Sequence, residues 1–250
     1  MELLNNERLD YVNDSLSLIQ KTDGLTFGTD ALLLAGYVRG RSKRGLEIGG
    51  GTGIISMLLA TRGKVDKIDT VEVQKEYAEL IERNVSLNGL GERIMAVHAD
   101  IREIKKGLEY DIVFSNPPYM KTSSGAPNVS EEKNIARHEV LGGIADFCAA
   151  AARLLRYGGH FYCVYRTDRM ADLFCALRAN RLEPKRVTFV HADAKAAPSM
   201  LLLDAVLGGN VGLKVTRPLI MSEKSGSGEG GYTEDMQQVM ENGFLPQSVE

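Results

Sequence analysis

Residues 110–119 read Tyr-Asp-Ile-Val-Phe-Ser-Asn-Pro-Pro-Tyr, an apolar run that ends on an amide, two prolines and an aromatic ring. Proline neither donates to a strand ladder nor continues one, so a strand over 110–115 must stop here, its polar tip at the carboxyl end. The chemistry open to that tip is alkylation of a planar amino group. Such a nitrogen is a poor nucleophile because its lone pair is delocalised. Two acceptors, the Asn116 side-chain oxygen and the Pro117 carbonyl, would bind both of its N–H groups and turn the lone pair toward an incoming methyl. Pro118 restricts Pro117 to extended geometry and so aims that carbonyl, and Tyr119 offers a flat face on which a base can stack. In-line transfer needs positioning at ~3–3.5 Å more than a strong base, because the ammonium product is very acidic.

A second cluster could hold the methyl donor. Gly49, Gly51 and Gly53 follow the short apolar stretch 46–48 and precede the apolar run 54–61, a strand-turn-helix context in which backbone approaches a ligand closely. Ile54 stands where a dinucleotide fingerprint wants glycine or alanine, and Glu47 would repel a pyrophosphate but favour a cation. Glu72 lies 19 residues beyond Gly53, close to the ~20-residue offset at which a carboxylate meets ribose hydroxyls. Asp100 has the analogous place after the next strand, and Val73 and Ile101 adjoin the two acids. A ligand with a ribose, an adenine and positive charge but no phosphates fits this set. S-adenosylmethionine is such a ligand.

These tips must be carried by an alternation of strands and helices, which predicts a parallel sheet covered on both faces. Strands are expected at 46–48, 65–73, 94–98, 110–115, 159–165 and 186–190. Two more, 200–207 and 213–218, suggest a hairpin around Gly208-Gly209-Asn210. Helices are expected at 54–61, 75–87, 144–155 and 170–179. The second of these aligns Tyr77, Leu80, Ile81, Asn84 and Leu87 along one side. Thr29 or Asp30 has the residue type of a helix N-cap for the run 31–35. The chain then divides into an N-terminal preamble (1–43, a strand plus a helix), a core (44–220) and a Gly/Ser-rich tail (221–250) with a short terminal helix over 232–240. The tail is acidic, with one lysine (Lys224) against Glu223, Glu229, Glu234, Asp235, Glu241 and Glu250.

With 250 residues and 44% apolar content, one sizeable core can be buried. The net charge of −3 argues against a generic nucleic-acid binder, although Arg39, Arg41, Lys43, Arg44, Arg166, Arg169, Arg178, Arg181, Lys185 and Arg186 are candidate phosphate contacts. Cys148, Cys163 and Cys175 sit in apolar contexts without CxxC spacing and read as buried thiols in a reducing compartment. The four histidines show no ligand spacing, so no metal is expected. No leader-like N-terminus and no ~20-residue apolar span stand out, which together with the thiols predicts a cytoplasmic protein with no membrane contact and no obligatory protein partner.

Glu47-Ile48-Gly49-Gly50-Gly51-Thr52-Gly53 resembles the first motif of class I S-adenosylmethionine-dependent methyltransferases, and Asn116-Pro117-Pro118-Tyr119 the Asn-Pro-Pro-aromatic motif of their amino-methylating members. Phe27-Gly28-Thr29-Asp30-Ala31-Leu32-Leu33-Leu34, Ala136-Arg137-His138-Glu139 and Tyr232-Thr233-Glu234 resemble the bacterial tRNA(Val) adenine-N6 methyltransferase family, over about 16–240. Glu47 conservatively replaces the commoner aspartate, and Gly50, standing where a bulkier residue is usual, is expected to loosen the loop. The resemblance implies a Rossmann-like α/β fold, a mostly parallel seven-stranded sheet with helices on both faces and a C-terminal antiparallel hairpin. It implies S-adenosylmethionine bound by Thr29, Asp30, Glu47, Gly49, Gly51, Gly53, Glu72, Val73, Asp100, Ile101 and Asn116. Residues 116–119 would be catalytic, and Tyr119, Arg137 and His138 would touch the substrate, the anticodon-loop adenine 37 of tRNA(Val). The Asn-Pro-Pro-Tyr tip serves equally for a protein glutamine amide, as in release-factor methylation, or for adenine in rRNA or DNA. A non-catalytic RNA-binding module would also retain the fold, and a nicotinamide oxidoreductase is disfavoured by Glu47 and Ile54.

Overall fold

A computed structural model describes residues 3–24, 26–105, 107, 109–118, 142–223 and 231–246. The chain opens with an antiparallel pair, β1 (Glu7–Asn13) and β2 (Leu16–Lys21), followed by α1 (Thr29–Tyr37). Then come β3 (Ser42–Ile48), α2 (Ile54–Thr61), β4 (Val65–Glu72), α3 (Lys75–Leu87), β5 (Ile94–His98) and β6 (Tyr110–Ser115). Beyond the undescribed stretch lie α4 (Ile144–Leu154), β7 (Leu155–Arg166), α5 (Met170–Ala179), β8 (Leu182–Asp193) and β9 (Pro198–Leu207). Two short strands, β10 (Lys214–Val215) and β11 (Leu219–Ser222), and α6 (Glu234–Asn242) complete the described chain.

The seven long strands of the main sheet run in the order β8-β9-β7-β6-β3-β4-β5, and all neighbours are parallel except β9, which is antiparallel to both β7 and β8. β10 and β11 extend it by pairing in parallel with β8. The antiparallel hairpin is therefore β8–β9, not a pairing of 200–207 with 213–218. Both edges of β9 are already taken by β7 and β8, so the chain leaving Gly208 can only dock on the outer edge of β8. Having reversed twice, it arrives there parallel.

Each face of the sheet buries its own apolar cluster, as the period-2 alternation of a two-sided sheet requires. Ile112, Phe114, Tyr162, Val164 and Leu202 pack with α1, α2, part of α3 and α6. Val113, Phe161, Cys163, Leu201 and Leu203 pack with α4 and α5. The preamble and tail both pack on this core. In α1 every residue from Ala31 to Tyr37 is buried, and β3 begins at Ser42, ahead of the expected core boundary. In α6, Met236 and Val239 are fully buried. Its N-cap is Thr233, whose hydroxyl accepts from Met236 N at 3.2 Å. The rest of the Gly/Ser stretch, 224–230, lies outside the described residues.

Two surface expectations are corrected. Cys175 is exposed, whereas Cys148 and Cys163 are buried; in α5 the inward positions are Leu173, Ala176 and Leu177, which turns 175 to solvent. Arg186 is buried, donates to the Tyr37 carbonyl at 2.8 Å and lies 3.7 Å from the centre of the Tyr37 ring, so it is a core residue and not a phosphate contact. Arg41, Arg44, Arg166, Arg169 and Arg178 each form an ion pair with a neighbouring acid. Among the described residues no helix is long and apolar enough to cross a membrane.

Candidate active site

β3 is the first strand of the core, and the chain adds β4 and β5 on one side of it before returning to add β6 and β7 on the other. In an open α/β sheet the crevice at such a reversal, outside the carboxyl ends of the strands, is where ligands bind. The last paired residues here are Glu47 and Phe114. One step further, the Ser115 hydroxyl donates to the Ile48 carbonyl at 2.7 Å, pinning the two strand tips where they diverge.

The cavity above them has a volume of about 470 Å³, within the roughly 300–1,000 Å³ of small-molecule sites. Eleven of the expected site residues line it: Asp30, Glu47, Gly49, Gly51, Glu72, Val73, Asp100, Ile101, Asn116, Pro117 and Pro118. Thr29 and Gly53 do not line it, and Tyr119, Arg137 and His138 lie outside the described residues.

The glycine loop turns through left-handed backbone at Gly49 (φ 72°), Gly51 (φ 55°) and Gly53 (φ 81°), which is cheap only for glycine. Gly50 does not loosen the loop. A Cβ there would sit 2.3 Å from Thr70 Cγ2 and 2.9 Å from Ile81 Cδ1, so the close packing of loop on β4 and α3 demands glycine. Glu72 braces the loop from the side, accepting from Gly51 N at 3.0 Å and Gln74 N at 2.9 Å. Glu47 is buried and accepts from both the backbone N–H (3.1 Å) and the hydroxyl of Ser56. Burial pushes its carboxyl up to about 8, against the lowering pull of those two bonds. At the rim, the Arg102 guanidinium donates from Nε to both Asp100 oxygens at 2.9 Å and holds that carboxyl below its ordinary range.

The residue type of Asp30 suggests a helix cap, and the structure assigns it otherwise. The N-cap of α1 is Gly28, and Asp30, two residues inside, reaches across the cavity: its Oδ2 accepts from Asn116 Nδ2 at 2.8 Å. That bond sets the amide nitrogen of Asn116 toward Asp30 and its oxygen toward the other side.

Sequence reasoning missed two aromatic wall residues and two residues that brace the wall from behind. Phe27 and Phe147 supply aromatic surface, with the Phe147 ring 3.5 Å from where a Gly49 Cβ would stand. Gln20, a buried amide on β2 that follows the apolar pair Leu18-Ile19, accepts from Phe27 N at 2.9 Å and so fixes that wall. Asn84 donates to the Thr52 carbonyl of the glycine loop at 3.0 Å. A polar side chain inside an apolar pattern was the one available signal for the last two.

The methyltransferase small domain family matches residues 21–175. A tRNA1(Val) (adenine(37)-N6)-methyltransferase of Phocaeicola vulgatus is 31% identical over 70% of this chain and 74% of its own. One of Tolumonas auensis is 32% identical over the same shares. Among solved structures, a predicted O-methyltransferase from Agrobacterium tumefaciens shares the fold, with a TM-score of 0.69 and 23% identity over 87% of this chain and 98% of that one. The chain thus belongs, with those tRNA1(Val) enzymes, to the methyltransferase small domain family, and it is an S-adenosylmethionine-dependent methyltransferase.

Proposed function

We propose that the cleft methylates the N6 amino group of a splayed-out adenine in a tRNA, the anticodon-loop adenine 37 of tRNA(Val). The observation that carries the chemistry is that Asn116, Pro117 and Pro118 share one cavity wall system with the glycine loop and Glu72. The lining fits S-adenosylmethionine, with a glycine cradle, apolar surface from Phe27, Ile101 and Phe147, and the Glu72 and Asp100 carboxyl groups for ribose hydroxyls. Bound there, the cofactor supplies an electrophilic methyl on a sulfonium.

The residues of the chain do the remaining work. Glu72 and Asp100 would receive the ribose and adenine end, Glu47 and the Gly49–Gly51 turn the amino-acid end. The Asn116 oxygen and the Pro117 carbonyl would bind the two N–H groups of the acceptor and turn its lone pair toward the methyl. Tyr119, next after Pro118 in the sequence, would stack on the base. The methylated nitrogen then loses a proton to water, and no group in the wall has to act as a strong base. The choice of tRNA is supported by the names of the relatives.

The test is radiolabelled methyl transfer to undermodified total tRNA and, in parallel, to purified release factors. Label confined to tRNA, recovered as N6-methyladenosine, supports the reading; label on protein glutamine replaces it. Asn116→Ala should bind S-adenosylhomocysteine as the wild type does yet transfer no methyl, and normal transfer by that variant would rule out the tip mechanism.

A further inference from the structure

An amide that must present only its oxygen to an incoming amino group has a problem of handedness. Its two ends are nearly isosteric, and if the nitrogen faced the acceptor, donor would meet donor. Something has to choose. Asp30 Oδ2 takes Asn116 Nδ2 at 2.8 Å, and an ionised carboxylate accepts only, so it selects the nitrogen end. Asp30 is itself held: its Oδ1 accepts from Ala31 N at 2.9 Å, within the first turn of α1, where the helix dipole favours a negative charge. The preceding glycine keeps space for it, since a Cβ at Gly28 would stand 2.8 Å from Asp30 Oδ1. The Gly28-Thr29-Asp30 stretch and the tip, 86 residues apart, are thereby parts of one device.

We propose that Asp30 is a positioning residue acting through Asn116, and not primarily a ligand of the cofactor. It locks the amide with the oxygen toward the acceptor. As the acceptor nitrogen gains positive charge, a carboxylate one amide away also polarises that oxygen in the favourable sense. This rests on the reading that the tip binds an amino group for methylation.

The pair can be reversed as well as broken. In Asp30→Asn the donor-acceptor choice is lost, and kcat falls roughly 10- to 100-fold, the size of one charge-assisted hydrogen bond. Affinity for S-adenosylhomocysteine, measured by calorimetry, stays within about twofold. In Asn116→Asp two carboxylates face each other. They can share one proton at lower pH but repel once both ionise, so activity falls as pH rises. The double variant, Asp30→Asn with Asn116→Asp, exchanges the two roles. The amide now on α1 donates to a carboxylate on the tip, and that carboxylate still presents an acceptor oxygen to the substrate. Activity then recovers by at least about tenfold over Asn116→Asp, and the added pH dependence disappears.

A double variant no better than Asn116→Asp would overturn the proposal. So would an Asp30→Asn variant with unchanged kcat and weakened S-adenosylhomocysteine binding, which would make Asp30 a cofactor ligand. Those failures are separable from failure of the underlying reading, in which the wild-type chain itself transfers no methyl to tRNA or protein and the role of Asp30 falls with it.

Discussion

Replacing Asn84 with alanine should damage both stability and the proposed cofactor cleft, although the residue does not line the cavity. Asn84 is fully buried. Its Oδ1 accepts from Ile19 N at 2.7 Å, and its Nδ2 donates to the carbonyls of Ile19 at 3.1 Å and Thr52 at 3.0 Å. One turn on, Asn88 does the same for Ser17, accepting from its N–H at 3.0 Å and donating to its carbonyl at 2.7 Å. The spacings match: four residues of helix rise about 6 Å, and two residues of strand advance about 6.8 Å. Two asparagines, at the end of α3 and just beyond it, therefore stand in for a strand and satisfy the edge of β2 that β1 does not cover. Removing Asn84 takes three bonds away from buried backbone groups. At about 1–3 kcal/mol for each group left without a partner, and allowing for a water entering the space, the loss is about 3–5 kcal/mol. That is a large share of the ~5–15 kcal/mol of a typical domain. Urea unfolding followed by circular dichroism reads the stability, and calorimetric titration with S-adenosylhomocysteine reads the loop through its Thr52 anchor. A loss under about 1 kcal/mol, with unaltered affinity, would refute the claim that Asn84 ties β2, α3 and the glycine loop together.

Lys64 is buried with its ammonium on the carbonyls of Ala35, Gly36 and Val38 at 2.9, 2.9 and 2.6 Å, where it caps the C-terminus of α1. Lys64→Met should cost about 2–4 kcal/mol, visible as a lowered melting temperature; no change would mean that those carbonyls find water equally well. Gly50→Ala forces a methyl against Thr70 and Ile81 and should cost about 1–3 kcal/mol. Adding Thr70→Ser removes the 2.3 Å contact and should restore most of the urea midpoint. Glu47, with an ordinary value of 4.5 pushed up to about 8 by burial, binds its proton more tightly folded than unfolded. The stability this contributes is complete below about 4.5 and is lost as pH rises through about 8. Melting temperatures without cofactor should therefore fall between about pH 6 and about pH 9 in the wild type more than in Glu47→Gln, and parallel trends in the two would contradict the assignment.

What is local or periodic can be read from the residues alone. The α2, α3 and α5 boundaries, the strand ends at His98 and Ser115, and the glycine turn all follow from apolar period and from residues with special backbone needs. These signals act within a few positions of the residues that cause them, and so they are legible without a fold. The two halves of the candidate site are legible for the same reason, since each sits at the end of a strand that the pattern reveals. Pairing across distance is another matter, and it was settled only when the chain closed on itself. Which strand accepts the chain after Gly208 depends on edges already occupied. Whether Gly50 is loose or obligatory depends on Thr70 and Ile81. Whether Arg186 meets solvent or the Tyr37 ring depends on α1, and Cys175 turns outward by the phase of its helix. Asp30 shows the difference most sharply. Its residue type at the start of an apolar run promises a cap, but the side chain finds a better partner in Asn116, brought within hydrogen-bonding distance only when α1 and β6 close over the same crevice.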